Sequence, residues 1–362
     1  MAAVSNLNMI QVLRGVASLL VVLFHISQNV KLYLKTNFCF NAFDFGGAGV
    51  DIFFVLSGFI ITYTSVKNLN TTGKLFFFLR RRFVRIYPAY WIVITGFLVL
   101  QFFFASFYSS TYNFTFSNLL STFFLLPGHA MVNGVSWTLS YELFFYLLFS
   151  LAFLIPSKKL ALLLAVLYGL LIVVLHCLGY SAEQQNSWLM LVTHPMNTEF
   201  ILGIIAALII YKLPSRISVG LIIAGSLFFL VGAILSDYGY WLINNSFNRV
   251  VFFGIPSFFI ITGIATFELS RPVKVHNVLL KLGEASYSLY LLHLPFVAAA
   301  VKIISKLNIQ NNSLLHVLLF LLIIMICYCS VLFFKFIEKP VINRLNTFGR
   351  SVFSPTSVKE NS

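Results

Sequence analysis

Apolar residues along this chain fall in runs of about 20, separated by short polar stretches. That is the length at which a helix crosses the hydrocarbon of a bilayer. Taken in order, the runs predict ten spans, at 9–29, 48–65, 88–108, 137–155, 159–178, 197–211, 217–236, 250–268, 285–303 and 314–336. Between the third and fourth, the apolar piece 118–126 is too short to span, so it is expected to lie in the interface or to re-enter. Pro88 suits a helix start, and Tyr87, Tyr90 and Trp91 around it read as an interfacial belt. The predicted fold is an all-α polytopic membrane protein, with one transmembrane domain over 1–341 and a short tail, 342–362, expected to be disordered. No internal repeat or linker is visible.

The first run, MIQVLRGVASLLVVLFHISQN, carries two ionisable groups, Arg14 and His25. Such groups are costly in a bilayer and mark pathways or reaction sites. They lie eleven residues apart, which returns them to nearly the same helix face with a separation of roughly 16 Å. The run lacks a small-residue cleavage pattern and reads as a retained first span rather than a signal peptide.

Composition agrees with the pattern. The chain is 59% hydrophobic and 9% charged, which excludes a soluble protein with a charged surface. The net charge of +14 is no nucleic-acid signature, because nearly all the cations sit between the apolar runs. The densest cluster, Lys67, Lys74, Arg80, Arg81, Arg82 and Arg85, lies in 66–87, read as a loop that the positive-inside rule places in the cytoplasm, and both termini follow it there. Arg14 is then expected near the cytoplasmic face, and His25, Asp51 and Glu142 near the outer one. Asp51 falls in the first turn of its helix, where the dipole favours a carboxylate whatever its role. The four cysteines match no metal spacing, and no metal site is expected; a Cys39–Cys177 disulfide is conceivable.

Four segments stand out together: LRGVASLLVVLFH (13–25), GVDIFFVLSGF (49–59), FLRRRFVRIYPAYW (78–91) and SWTLSYELFFY (136–146). Two weaker ones follow, SYSLYLLHLPF (286–296) and FIEKPV (336–341). In this order the chain resembles, over nearly its whole length, the acyltransferase-3 family of integral membrane acyltransferases. The resemblance implies transfer of an acyl group, usually acetyl, from cytoplasmic acyl-CoA to a glycan or other acceptor at the outer face. It implies that His25 matches the family's essential first-helix histidine, Arg14 the arginine of the same motif, and Arg82 and Arg85 the Arg-x-x-Arg pair. Asp51 and Glu142 match its acidic positions, and His293 and Glu338 its late motifs. Leu143 and Phe144 depart from the pattern, since many members carry a second acid and a glutamine there.

Physical chemistry fits that carry-over. Arginine forks bind phosphates in bidentate fashion, so Arg82, Arg85 and Arg14 suit the donor's polyanionic head and arm. A hydroxyl needs a base to become nucleophilic, and neutral imidazole is the usual one. His25 takes that role here, with Asp51 or Glu142 as the carboxylate that orients it. Direct transfer and a transient acyl-histidine both remain open. Trp137 and Tyr141 can stack on a sugar or anchor at the interface, and His293 can bind substrate or pack.

The expected enzyme is thus an O-acetyltransferase of the bacterial inner membrane, with no permanently bound cofactor and acetyl-CoA as co-substrate. Its expected partners are a glycan or lipid-linked glycan of the O-antigen or exopolysaccharide type and membrane lipids, not nucleic acid; the sequence sets no oligomeric state. A transporter that moves an acyl group or lipid-linked sugar without chemistry is the rival reading; such proteins more often show repeats and broken helices.

Overall fold

The most enclosed span is α2 (Gly49–Ser65), largely buried among other helices. Its closest partner is α8 (Asn197–Ile209), reached through two glycines. A Cβ on Gly58 would lie 2.0 Å from the Phe200 carbonyl oxygen, and one on Gly203 would lie 2.1 Å from that of Val55. Lipid gives no hydrophobic drive for helix association, so small residues that let backbones touch do that work. The computed structural model describes residues 7–69, 71–103, 114–128, 132–238, 245–307, 309 and 311–353.

Around α2 stand α1 (Asn8–Leu34), α3 (Leu75–Phe103), the short α4 (Phe116–Phe124), α5 (Trp137–Ser150), α6 (Lys158–Cys177) and the short α7 (Ser187–Thr193). Beyond α8 come α9 (Ser218–Tyr238), α10 (Ile255–Ser270), α11 (Asn277–Glu284), α12 (Ser286–Lys306), α13 (Asn312–Phe333) and α14 (Lys339–Phe353). The described residues hold no strand, and nine of their helical stretches are long and apolar enough to cross a membrane. The tenth expected span is the shorter Trp137–Phe153. The chain is a multi-pass helical membrane protein. Helix α14 takes up the first part of the expected tail; the tail's residues 354–362 and the expected end of span three at 108 lie outside the described residues.

Two local expectations are corrected. Pro88 lies inside α3, not at its start, and the arginine cluster from Arg80 to Arg85 is helical rather than loop. Membrane helices tolerate an interior proline where neighbours accommodate the broken ladder. Tyr87 and Tyr90 are buried rather than turned outward as a belt, and with Trp91 they hold the end of α4. Tyr87 Oη donates to the Phe124 carbonyl at 3.2 Å, Tyr90 Oη to Thr122 at 2.6 Å and Trp91 Nε1 to Phe123 at 2.9 Å. These are C-terminal carbonyls of α4, which its own ladder cannot satisfy. Since their donors sit midway along α3, α4 re-enters the bundle. The four cysteines are free thiols, so Cys39 and Cys177 form no disulfide.

α5 runs beside the first half of α3. Phe149 and Phe153 pack on Phe78, with ring centroids 5.5 and 5.1 Å away, and the Tyr146 ring lies 5.5 Å from the Arg82 guanidinium. The end of the bundle where α5 finishes is therefore the arginine end.

Candidate active site

Three arginines from two helices meet in one pocket of about 130 Å³. Arg14 comes from α1, and Arg82 and Arg85 from α3; Ser57 of α2, Glu142 and Tyr146 of α5, and Ser286 and Tyr290 of α12 complete its wall. Arg14 spends one donor on Gln11 at 3.1 Å. Arg82 reaches Thr64 at 3.3 Å, its plane lies over Phe78 and Tyr146, and its buried Nε has no partner. Arg85 is held by Glu338, Nη1 to Oε1 at 2.8 Å, and lies over Tyr287. Glu338 is 1% exposed and also accepts from Ser288. It ends a π-helical turn, Phe334–Glu338, of the kind that often marks functional sites.

Glu142 belongs to this pocket. It accepts from Ser57 at 3.1 Å and from Tyr146 one turn along. The expectation that it lies at the depth of His25 is corrected: Glu142 lines the pocket of Arg14, Arg82 and Arg85, eleven residues of α1 away from His25. The pocket thus gathers three guanidiniums and the Glu142 carboxylate, with Glu338 buried behind Arg85. Two buried donors, Arg82 Nε and Ser286 Oγ, lack partners there. Buried polar groups are nearly always satisfied, so this pocket is shaped for an oxygen-rich anionic ligand.

His25 sits further along α1, and its neighbour is a second imidazole. The His25 and His293 rings lie 5.1 Å apart, tilted by 36°. His293 is fully buried, and its Nδ1 is 2.8 Å from the Tyr290 carbonyl. A carbonyl can only accept, so Nδ1 carries the hydrogen in the neutral ring and Nε2 holds the lone pair. That Nε2 is buried and unpartnered. Among the described residues neither ring nitrogen of His25 is hydrogen-bonded. Local sequence explains the backbone here. Pro295 removes the donor that would bond the Leu291 carbonyl, and Asn133 Nδ2 replaces it at 3.1 Å.

Tyr290 connects the two parts. Its hydroxyl binds Thr138 at 2.8 Å and the Val135 carbonyl at 3.1 Å, its ring lines the pocket, and its centroid is 5.8 Å from that of His293.

Asp51 is placed elsewhere. It is fully buried and ion-paired to Arg249, with contacts of 2.5 and 3.3 Å, while Arg249 also donates to the Gly47 carbonyl at 3.0 Å. The expected Asp51–His25 contact is absent because the guanidinium takes both carboxylate oxygens. Glu199, buried beside this pair, went unnoticed in the sequence; a lone acid inside the apolar run of α8 was the available signal. Trp137 stands at the exposed end of α5. Tyr141 is 5% exposed, packed among Phe54, Trp137 and His194, and leaves no open face for a sugar. Ser57, Tyr146 and Tyr290 join the site through contacts that spacing alone did not reveal. Among the described residues no group of three or more His, Cys, Asp or Glu side chains could hold a metal ion.

Helices enclosing an anion pocket beside a buried imidazole define a membrane group-transfer protein. A family described as "Acyltransferase domain" matches residues 7–334, and the chain belongs to this acyltransferase-3 family. It is similar to "Exopolysaccharide production protein ExoZ" of Rhizobium meliloti, with 25% identity over 83% of this chain and 91% of the relative. It is also similar to "O-acetyltransferase OatA" of Staphylococcus aureus, at 28% identity over 86% of this chain and 54% of the relative. "Peptidoglycan O-acetyltransferase OatA" of Listeria monocytogenes shares 28% identity over 82% of this chain and 51% of the relative. The chain thus spans about half the length of the two OatA proteins. No solved structure matches it.

Proposed function

We propose that this enzyme moves an acetyl group from acetyl-CoA to a hydroxyl of a cell-surface glycan, an exopolysaccharide or the O-antigen of lipopolysaccharide, at the outer face of the bacterial inner membrane. One observation carries the reading: a three-arginine pocket on the same side of α1 that leads on to His25. The arginine end faces the cytoplasm in this reading, where the donor is found. Arg82 and Arg14 keep donors for phosphate oxygens, and Arg85 is steadied by Glu338. The relatives named for exopolysaccharide production and for O-acetylation support the acceptor class and the acyl group.

His25 acts as the base. Its free nitrogen takes the acceptor hydroxyl's proton as the oxygen attacks the thioester carbonyl. The C–O bond forms, the C–S bond breaks, and the same proton passes to the departing thiolate. His293 takes the orienting place first expected for a carboxylate, with its Nε2 lone pair available to an N–H of the His25 cation. The thioester arm must pass Tyr290, which closes the inner end of the pocket.

The test is proton NMR of surface polysaccharide from a deletion strain complemented with wild type, His25→Ala or Arg82→Ala at matched protein levels. Acetyl signal restored by wild type alone supports the reading, and the sugar bearing it identifies the acceptor. Full restoration by His25→Ala overturns the base assignment. An acetyl content independent of the protein overturns the reading and favours transport.

A further inference from the structure

A second, largely apolar space lies away from the arginines. A slot of about 280 Å³ opens between α5, α6 and α8, walled by Phe145, Leu148, Phe149, Leu162, Ala165 and Ile204. It exists because α6 is barely packed: of its 20 residues only Gly169 and Ile172 are buried. Gly169 meets Ile201, where a Cβ would come within 2.9 Å, and Tyr168 beside it donates to the Val192 carbonyl at 2.5 Å. Those contacts close the slot at one end.

The other end opens at Lys158, the first residue of α6, in the arginine half of the bundle. Among the described residues neither Lys158 nor Lys159 makes an ion pair. The helix N-terminus there, capped by Ser157, adds its own preference for an anion. From Lys158 to Tyr168 the helix rises about 15 Å, half of the roughly 30 Å hydrocarbon thickness. The slot is therefore one leaflet deep, dry along its walls and cationic at its mouth. Two polar atoms on its lining, Thr62 Oγ1 and Asn197 Oδ1, are buried and unpartnered, although both residues are only 2% exposed.

We propose that the slot holds one acyl chain of an anionic phospholipid whose phosphate rests on Lys158. Its depth and its cationic mouth match an amphiphile of the leaflet at the arginine end. The occupant bears on catalysis through α5. That helix turns Phe145, Leu148 and Phe149 to the slot, and Leu139, Glu142 and Tyr146 to the arginine pocket. A chain packed on one face holds the other in place. The inference rests on the membrane fold and not on the proposed reaction, so either can fail alone.

Native mass spectrometry of the purified full-length protein gives the test, with phosphatidylglycerol, phosphatidylcholine and a polyprenyl phosphate offered separately and in competition. The expected result is one retained phosphatidylglycerol, preferred over phosphatidylcholine by about fivefold, the worth of one lysine near a membrane surface. Lys158→Ala should remove that preference while Lys281→Ala, on α11, keeps it. Ala165→Trp, which fills the slot, should abolish retention. A diazirine placed in the tail of phosphatidylglycerol should label residues of 145–165 in the wild type, a readout that needs no variant. Equal retention of the two phospholipids, labelling confined to other helices, or displacement by the polyprenyl phosphate would each overturn the proposal.

Discussion

His293 stands where a catalytic carboxylate was expected, with its ring centroid 5.1 Å from that of His25. The two rings lie close together inside the bundle, and His293 Nε2 has no other partner among the described residues. Loss of the proposed base, in His25→Ala, should lower transfer by about 10²–10⁴-fold. His293→Ala should cost less and change the pH profile of kcat, because the His25 cation formed in the proposed reaction then loses the neighbouring Nε2 lone pair. Rates measured against pH in proteoliposomes check both; a His293→Ala profile identical to wild type removes His293 from the site.

The arginine pocket predicts a split between binding and chemistry. Arg82→Ala should raise the donor KM by about 10- to 100-fold, the worth of a charge-assisted hydrogen bond or two, with kcat changed far less. Glu338→Gln should act in the same direction more weakly, since it releases Arg85 without removing it. Steady-state kinetics over acetyl-CoA concentration distinguish the two constants.

Asp51 and Arg249 predict an effect on stability. Neutralising one member of a buried pair costs about 3–5 kcal/mol, whereas replacing both costs much less. Asp51→Asn and Arg249→Gln should each lower the melting temperature in detergent, and the double variant should recover most of the loss. A double variant no more stable than the worse single one would mean that the pair is not coupled.

The α2–α8 contact leaves no space for a methyl group. Gly58→Ala would place a carbon 2.0 Å from a carbonyl oxygen, forcing the two helices apart. Fluorescence-detected size-exclusion chromatography should show loss of the monodisperse peak. Gly73→Ala, where a Cβ meets nothing within 4 Å, should keep it.

Glu183, in the turn between α6 and α7, predicts a pH dependence. Burial alone would raise its pKa, but hydrogen bonds from Ser246, its own backbone and Ser181 outweigh that and hold it below the usual carboxylate range. A depressed folded value adds stability that is present above the unfolded pKa and lost as pH falls through the folded one. The melting-temperature difference between wild type and Glu183→Gln should therefore exist at neutral pH and vanish in acid.

Membrane helices were legible because a period and a length are written locally: α1, α2, α6, α9 and α13 lie close to where hydropathy put them. Arg14, Arg82 and Arg85, which the motifs singled out, line one pocket, and Arg14, a charge in an apolar run, faces inward. What stayed hidden depends on pairs far apart in the chain. Whether Asp51 faced His25 or a cation was decided by Arg249, 198 residues later. The aromatics at 87–91 looked interfacial because nothing local tells that α4 will return to them.

That separation also bears on how the protein is made. Asp51 enters the membrane with the second span, and Arg249 arrives only after most of the remaining spans have been synthesised. Until then the nascent chain holds a buried acid without its counterion, a costly state in hydrocarbon. The early helices therefore form an assembly intermediate rather than a finished unit, and a ribosome that stalls before Arg249 leaves a product marked for membrane quality control.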